Sequence, residues 1–273
     1  MINDLVLKPD DYEPDHVKHS VGGMGGHLFR RAVHLAMAIL PLIYYWHGEH
    51  ISDIFGITPP QFASAVVLIL ITAEAVRLKT GITIVGQREY EAHQISALAW
   101  GAISVGLVLL IAPEGGLKGA AYGVPLIRSL TFVDPLMGEL RRADAAPRTV
   151  AVAGVGACAL VWVGCGFWLG TPIWLALLMA PVTVAAEWPR LRWIDDNGMM
   201  VLVPLTLLLL LHPWIVCVCS PSRALPCFLL ALSIPLQSVF RWADRWMRRR
   251  MSTTTPPRRA STSWPTPSRS SPP

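Results

Sequence analysis

Residues 185–205 crowd charged and amide side chains between two apolar segments that are each long enough to enter a bilayer. Six of these side chains fall within eleven residues: Glu187, Arg190, Arg192, Asp195, Asp196 and Asn197. Carboxylates beside a membrane segment can hold a divalent cation and, with it, the phosphates of a nucleotide against the head of a lipid. The alternative is a short loop whose charges only stop the two helices from sliding in the bilayer.

Asp195 and Asp196 are adjacent, so their side chains diverge by about 100° on a helix but can reach one cation from a turn. Asn197 and Gly198 favour a turn at this point. Together with Glu187, these acids suit a cation site better than a lattice of ion pairs, because the intervening arginines are too few to neutralise them all in a fixed geometry.

The first apolar segment begins with Arg30, Arg31 and His34. Arg30 and His34 are one helical turn apart and therefore share a face. An arginine fork and a histidine donor on one face could grip a phosphate. A membrane-anchoring arginine beside a packed histidine would give the same pattern.

Two pairs of acid and arginine, Glu74 with Arg77 and Arg88 with Glu91, lie at the edges of the next apolar runs. Each three-residue spacing permits an ion pair within one helix, which is the default interpretation. An acid at the edge of an apolar run is costly unless it has a partner or a cation. On that ground Arg77, Arg88 and Glu91 are predicted to contact substrate or nucleotide.

The stretch FVDPLMGELRR places Asp134 at the end of an apolar segment and follows it with Gly138, Arg141 and Arg142. A carboxylate followed by a small residue and two arginines suits Mg²⁺ together with phosphate oxygens. The chain contains no P-loop, protein-kinase or dinucleotide-binding glycine motif, which excludes the soluble nucleotide-binding folds that carry them.

The composition is that of a membrane protein with several spans, because 53% of the 273 residues are hydrophobic and only 15% are charged. The net charge of +5 comes from the tail: from residue 241 onward there are eight Arg and one Asp, which leaves fifteen basic and seventeen acidic residues before it. This balance gives no reason to expect nucleic-acid binding. The five cysteines lie in apolar segments without a histidine at metal spacing, so we expect small core side chains.

We predict an all-α, polytopic bundle with about eight transmembrane segments, since a helical span needs about 20 apolar residues. The fourth segment is the weakest, because Pro125 breaks helices and Arg128 is costly in lipid, and a broken or re-entrant segment is expected there. The distribution of Arg and Lys places both termini and all the charged junctions in the cytoplasm. The segments are residues 28–46, 60–76, 95–112, 117–133, 149–169, 172–186, 199–219 and 224–240.

Three regions follow from these patterns. Residues 1–27 form a polar N-terminal segment without the features of a cleavable signal peptide. Residues 28–242 form the membrane domain, and residues 243–273 form a basic tail rich in Ser and Pro that should be disordered.

Four stretches of the chain, in their order and spacing, resemble the membrane-embedded lipid-alcohol kinases, namely dolichol, phytol and other polyprenol kinases, which are related to phosphatidate and archaeol cytidylyltransferases. These stretches are RRAVHLAMAILPLIYY, EAVR with REYEAH, FVDPLMGELRR and EWPRLRWIDDNGMMVLVPL, and the resemblance covers about residues 28–210. It implies transfer of a phosphoryl group, typically from CTP, to a long isoprenoid alcohol, with Mg²⁺ at the acidic residues and the active site at the cytoplasmic face.

The resemblance implies a role for each candidate residue. The predicted catalytic residues are Asp134, Asp195, Asp196 and Glu187: the three aspartates are predicted to hold Mg²⁺ or to orient the hydroxyl, and Glu187 to position them. The metal ligands are predicted as Asp134, Asp196 and Glu187. The residues predicted to bind substrate or nucleotide are Arg30, Arg31, His34, Arg77, Arg88, Glu91, Gly138, Arg141, Arg142 and Asn197.

One departure from the family pattern concerns the residues after Asp134. Family members commonly continue with a small pair and a Gly-Lys-Ser/Thr stretch that cradles phosphates, whereas here DPLMGELRRADAAPRTV runs into the next apolar segment. Either Arg141 and Arg142 substitute for the lysine, or nucleotide binding is altered or lost. The alternatives are therefore a CTP-dependent cytidylyltransferase acting on a lipid phosphate, and a transporter or non-catalytic membrane protein on the same scaffold.

Overall fold

The computed structural model describes residues 21–219, apart from 88, 114, 115, 190, 192 and 193. Over these residues it contains eight α-helices and no strand. The predicted span at 224–240 and the tail at 243–273 lie outside the described residues. The helices are α1 (Gly23–Ala36), α2 (Leu40–Ile54), α3 (Pro59–Thr80), α4 (Ala97–Ile111), α5 (Ala120–Arg142), α6 (Pro147–Leu169), α7 (Leu175–Glu187) and α8 (Asp196–Cys219).

Three of these helices are long and apolar enough to cross a membrane, namely α3, α6 and the Asp196–Ile215 part of α8. Helices α1 and α2 would form a fourth span if they cross together. Helices α4 and α7 are apolar but have only 15 and 13 residues, fewer than a straight span needs. The prediction of an all-helical chain is confirmed for the described residues, with three or four candidate spans.

Local residues explain where two of the helices begin and where one of them ends. Thr58 precedes α3 and donates its backbone N–H to Gln61 Oε1 at 2.9 Å, and Gly81 ends the helix with a φ of 67°. Ser96 precedes α4 and its hydroxyl oxygen accepts a hydrogen bond from the Ala99 N–H at 3.1 Å. Both patterns satisfy backbone groups that a helix end leaves unpaired.

The first predicted span, at 28–46, is two helices that meet at an angle of 50°. Pro41 is the second residue of α2 and has no N–H to donate to the Met37 carbonyl. The Leu40 N–H bonds to that carbonyl instead, at 3.2 Å. The hydrogen bonds there join residues three apart rather than four apart, and the α-helix is interrupted between α1 and α2. A proline inside an apolar run therefore bends this segment.

The break that was expected in the fourth segment does not occur. Helix α5 is continuous from Ala120 to Arg142, although it contains Pro125 and Pro135. Pro125 frees the carbonyl of Ala121, and the hydroxyl of Thr171 donates a hydrogen bond to that oxygen at 2.5 Å. Because the freed carbonyl finds a partner from the turn before α7, the helix continues through the proline.

Helix α5 is the centre of the bundle and packs against α6, α8 and α2. Its buried side chains join those of α4 and α6–α8 in one apolar core, whereas α3 is exposed along most of its length. Glycines allow the closest helix contacts: a Cβ at Gly154 of α6 would overlap Met137 of α5, and one at Gly106 of α4 would overlap Val67 of α3. Small residues at helix interfaces are common in membrane bundles.

Candidate active site

Three carboxylates that are far apart in sequence lie together at one end of the bundle. Asp134 belongs to α5, Glu187 is the last residue of α7 and Asp196 is the first residue of α8. One oxygen from each of them lies within 4.8 Å of the others. These are the three residues that the sequence predicts as metal ligands.

The connection between α7 and α8 sets the position of Asp196. The backbone N–H of Asn197 donates to Asp196 Oδ1 at 2.9 Å, and the Asn197 side-chain amide donates to Asp195 Oδ2 at 2.9 Å. Asn197 therefore fixes the side chains of both Asp195 and Asp196. The predicted turn at 195–198 becomes the first turn of α8 instead, since Asp196 and Asn197 already belong to that helix.

Glu187 is the most enclosed member of the cluster. Its side chain is only 1% exposed, and its Oε2 has no hydrogen-bond partner among the described residues. Glu187 is the last residue of α7 and lies just beyond the predicted span 172–186. Burial raises the pKa of its carboxyl group to about 8, and the positive charge of the neighbouring Arg141 opposes this rise. A buried carboxylate with an unpartnered oxygen is stabilised in its ionised form by a bound cation.

One arginine contacts the cluster, and two others pair with Glu139, five residues after Asp134. Arg141 Nη2 lies 2.5 Å from Glu187 Oε1, and its guanidinium lies 5.7 Å from the centre of the Trp188 ring. Arg31 pairs with Glu139, which also lies 3.8 Å from Arg142 Nη1. These guanidinium groups belong to α1 and to the last turn of α5, so two helices bring positive charge to the same end of the bundle.

His34 links α1 to the acidic cluster. Its Nε2 lies 3.0 Å from Asn197 Oδ1 and 3.5 Å from Asp134 Oδ2. Because the Asn197 amide nitrogen donates to Asp195, its Oδ1 must act as an acceptor, so His34 Nε2 carries the proton in this arrangement. The residue is buried, and its Nδ1 has no hydrogen-bond partner among the described residues.

Arg30 and Glu91 form a second pair beside His34. Arg30 Nη1 donates to Glu91 Oε1 at 3.1 Å. Glu91 is 2% exposed, and its Oε2 has no hydrogen-bond partner in the described part of the chain. The predicted pairing of Glu91 with Arg88 cannot be compared with this, because Arg88 lies outside the described residues.

Arg77 has a different setting from the other arginines. Its guanidinium donates to both carboxylate oxygens of Glu74 at 2.8 Å. It also donates to the carbonyls of Ile82, Glu91 and Gln94 at 2.8–3.3 Å. These bonds fasten the segment between α3 and α4 to the end of α3, so Arg77 positions Glu91 and is not among the guanidinium groups around the carboxylates.

The structure thus brings most of the predicted site residues to one end of the bundle. The acids of α5, α7 and α8 meet there, and Arg31, His34, Arg141 and Asn197 contact them or their neighbours. Gly138 lies beside Arg31, whose Nη2 would be 3.7 Å from a Cβ at that position. Glu139 was not predicted as a site residue, although its position one residue after Gly138 and three before Arg142 is a signal that could have found it.

Comparisons of the chain with protein-family models, with curated proteins and with solved structures found no match.

Proposed function

We propose that this protein is a membrane-embedded kinase that transfers the γ-phosphoryl group of a nucleoside triphosphate to the hydroxyl of a long isoprenoid alcohol. The observation that carries the proposal is the cluster of Asp134, Glu187 and Asp196, with a buried, unpartnered carboxylate oxygen on Glu187. CTP is proposed as the donor, and a polyprenol, dolichol or phytol type of alcohol as the acceptor, on the basis of the sequence resemblance alone.

The donor set suits Mg²⁺, because hard divalent cations prefer carboxylate oxygens. Asp134, Glu187 and Asp196 would hold the ion, and the unpartnered oxygen of Glu187 is the atom that most needs one. When bound, Mg²⁺ would neutralise charge on the phosphates of the donor.

The side chains of this chain would do the remaining work of positioning and charge stabilisation. Arg141, Arg31 and Arg142 would neutralise phosphate oxygens that approach the cluster, in place of the lysine of the missing Gly-Lys stretch. His34 and Asn197 would keep the acids of α5 and α8 in register. In the transfer, the hydroxyl oxygen bonds to the γ-phosphorus, the bond from that phosphorus to the β–γ bridging oxygen breaks, and the hydroxyl proton passes to a carboxylate of the site.

The proposal includes the full topology predicted from sequence. Eight spans with both termini in the cytoplasm would place the cluster at the membrane face where nucleoside triphosphates are available. The three or four candidate spans, together with the short apolar helices α4 and α7, are compatible with such an arrangement.

The test is a transfer assay on the purified chain in lipid nanodiscs with a polyprenol, Mg²⁺ and CTP labelled either at the γ- or at the α-phosphorus. We expect γ-label in a lipid monophosphate, α-label in the nucleoside diphosphate product and none in the lipid, and loss of transfer when the cation is chelated. In a parallel assay with a lipid phosphate in place of the polyprenol, transfer of the α-label to the lipid with release of pyrophosphate from CTP would show cytidylyl transfer instead. No labelled lipid with any nucleoside triphosphate would contradict both reactions and favour a transporter or a non-catalytic protein.

A further inference from the structure

A cleft opens beside the carboxylate cluster, between α1, the segment 82–87 and the start of α4. Its empty volume of about 490 Å³ includes open solvent at the mouth, and the enclosed part is much smaller. One wall is fixed by a close approach of two backbones: Gly86 has a φ of 90°, and a Cβ there would lie 3.0 Å from the Gly26 carbonyl oxygen. The packing of segment 82–87 against α1 therefore forms this wall of the cleft.

The mouth of the cleft is apolar and exposed. Phe29, Ile84, Val85 and Leu98 line it, and each of these side chains is about half exposed. Val33 and Met37 continue the apolar lining. An exposed apolar rim suits contact with hydrocarbon chains, so with this rim at the bilayer surface a lipid chain would enter the cleft without passing through water.

The inner end of the cleft is polar. Arg30, His34, Glu91 and Asn197 line it, and the Glu91 carboxylate is 2% exposed with Oε1 bonded to Arg30. Its Oε2 has no hydrogen-bond partner among the described residues. An ionised carboxylate is an acceptor only, so this oxygen matches a ligand that brings a hydroxyl donor and disfavours one that brings a phosphate.

His34 connects this polar end to the carboxylate cluster. It lines the cleft, and its Nε2 lies 3.5 Å from Asp134 Oδ2. Asn197, which also lines the cleft, directly follows Asp196 in sequence. His34 and Asn197 therefore belong both to the lining of the cleft and to the immediate surroundings of the proposed metal ligands.

We infer that this cleft is the binding site for the acceptor alcohol, with the hydroxyl donating a hydrogen bond to Glu91 Oε2 and the hydrocarbon chain lying along Val33, Val85 and Leu98 toward the bilayer. This inference rests on the proposed function for the identity of the ligand. It assigns Glu91 to the acceptor rather than to the nucleotide, and it makes Arg77 a positioning residue for the acceptor site.

The test is photolabelling of the purified full chain with a farnesol analogue that carries a diazirine on its hydrocarbon chain, without nucleotide or metal. We expect label on α1, on residues 82–87 and at the start of α4. Farnesol should displace the label at a concentration at least about tenfold lower than the matching hydrocarbon, because a site that accepts a hydroxyl discriminates against a ligand lacking it. The substitution Glu91→Gln should reduce the difference between the displacing concentrations of farnesol and of the hydrocarbon, because a neutral amide makes a weaker hydrogen bond with the hydroxyl than a carboxylate does.

Two tryptophan variants provide a matched pair. Leu98→Trp fills the cleft and should reduce labelling by about tenfold, whereas Leu68→Trp, on the exposed face of α3, should leave it unchanged. Label confined to other helices, or equal displacement by alcohol and hydrocarbon, would overturn the inference even if transfer activity is found. Label in the cleft without any transfer would support the binding site and contradict the proposed kinase.

Discussion

The substitution Asp196→Asn is expected to reduce phosphoryl transfer by at least about 100-fold, since loss of residues that only support a metal ligand already costs about 10- to 100-fold. The physical reason is the loss of charge from a cluster in which three carboxylates lie within 4.8 Å. An amide oxygen still binds a cation, but it contributes no negative charge to balance it.

The substitution Asp196→Asn removes a negative charge from the cluster but should leave the fold unchanged. In the native chain Asp196 Oδ1 accepts the Asn197 N–H at 2.9 Å, and an asparagine offers an oxygen in the same place. Asn is also well accepted at the beginning of a helix. The thermal midpoint of the variant, measured without metal, should therefore stay close to that of the native protein while the transfer rate falls.

Asp144→Asn is the matched control. Asp144 is exposed and has a φ of 54°, a conformation that asparagine adopts readily, and it lies outside the cluster. The same chemical change there should leave the transfer rate unchanged. Retention of more than half of the native rate by Asp196→Asn would rule out this carboxylate as a ligand that the reaction needs.

The substitution Arg77→Met should lower the free energy of unfolding by about 3–5 kcal/mol, the usual cost of removing one partner from a buried ion pair. Arg77 is 6% exposed. Its guanidinium stays charged in the folded and in the unfolded protein, so the loss comes from broken contacts and not from a change of protonation. Without the guanidinium, Glu74 loses its charged partner and keeps the hydrogen bond from the Ser96 N–H to Oε1 at 2.7 Å, and three backbone carbonyls lose a donor.

Chemical unfolding in detergent, followed by helical circular dichroism, measures this effect. Lys79→Met is the control, because Lys79 is exposed on the same last turn of α3 and should change stability by less than about 0.5 kcal/mol. The double variant Glu74→Leu with Arg77→Met should recover part of the loss, since no buried charge is then left uncompensated. A loss below about 1 kcal/mol for Arg77→Met would show that this network does not fasten the segment between α3 and α4.

The positions of the helices could be predicted from the apolar runs, because each run of sufficient length must bury its backbone polar groups in a helix. The predicted segments at 60–76, 149–169 and 199–219 lie within or close to α3, α6 and α8. For the fourth segment, where a break was expected and α5 is continuous, the cause is one residue from elsewhere in the chain. Thr171 bonds to the Ala121 carbonyl and preserves α5, and no local pattern around Pro125 carries that information.

The grouping of the acids followed from topology more than from spacing. Asp134 and Asp196 could be predicted to meet because the predicted topology places both at junctions on the same side of the bundle. The pairing of Arg30 with Glu91 could not, because it joins residues 61 positions apart, and Glu91 has a closer candidate partner in Arg88. The role of the cluster as a metal site stays a prediction.

Binding of Mn²⁺, a paramagnetic substitute for Mg²⁺, tests that central claim most directly, because it requires neither lipid nor nucleotide. Electron paramagnetic resonance of the purified chain should show a single bound Mn²⁺ that Mg²⁺ displaces. The triple variant Asp134→Asn, Glu187→Gln, Asp196→Asn should show no bound Mn²⁺. The control Asp144→Asn should bind Mn²⁺ as the native chain does. Absence of bound Mn²⁺ in the native protein, or equal binding by the triple variant, would contradict the assignment of these three carboxylates as a metal centre.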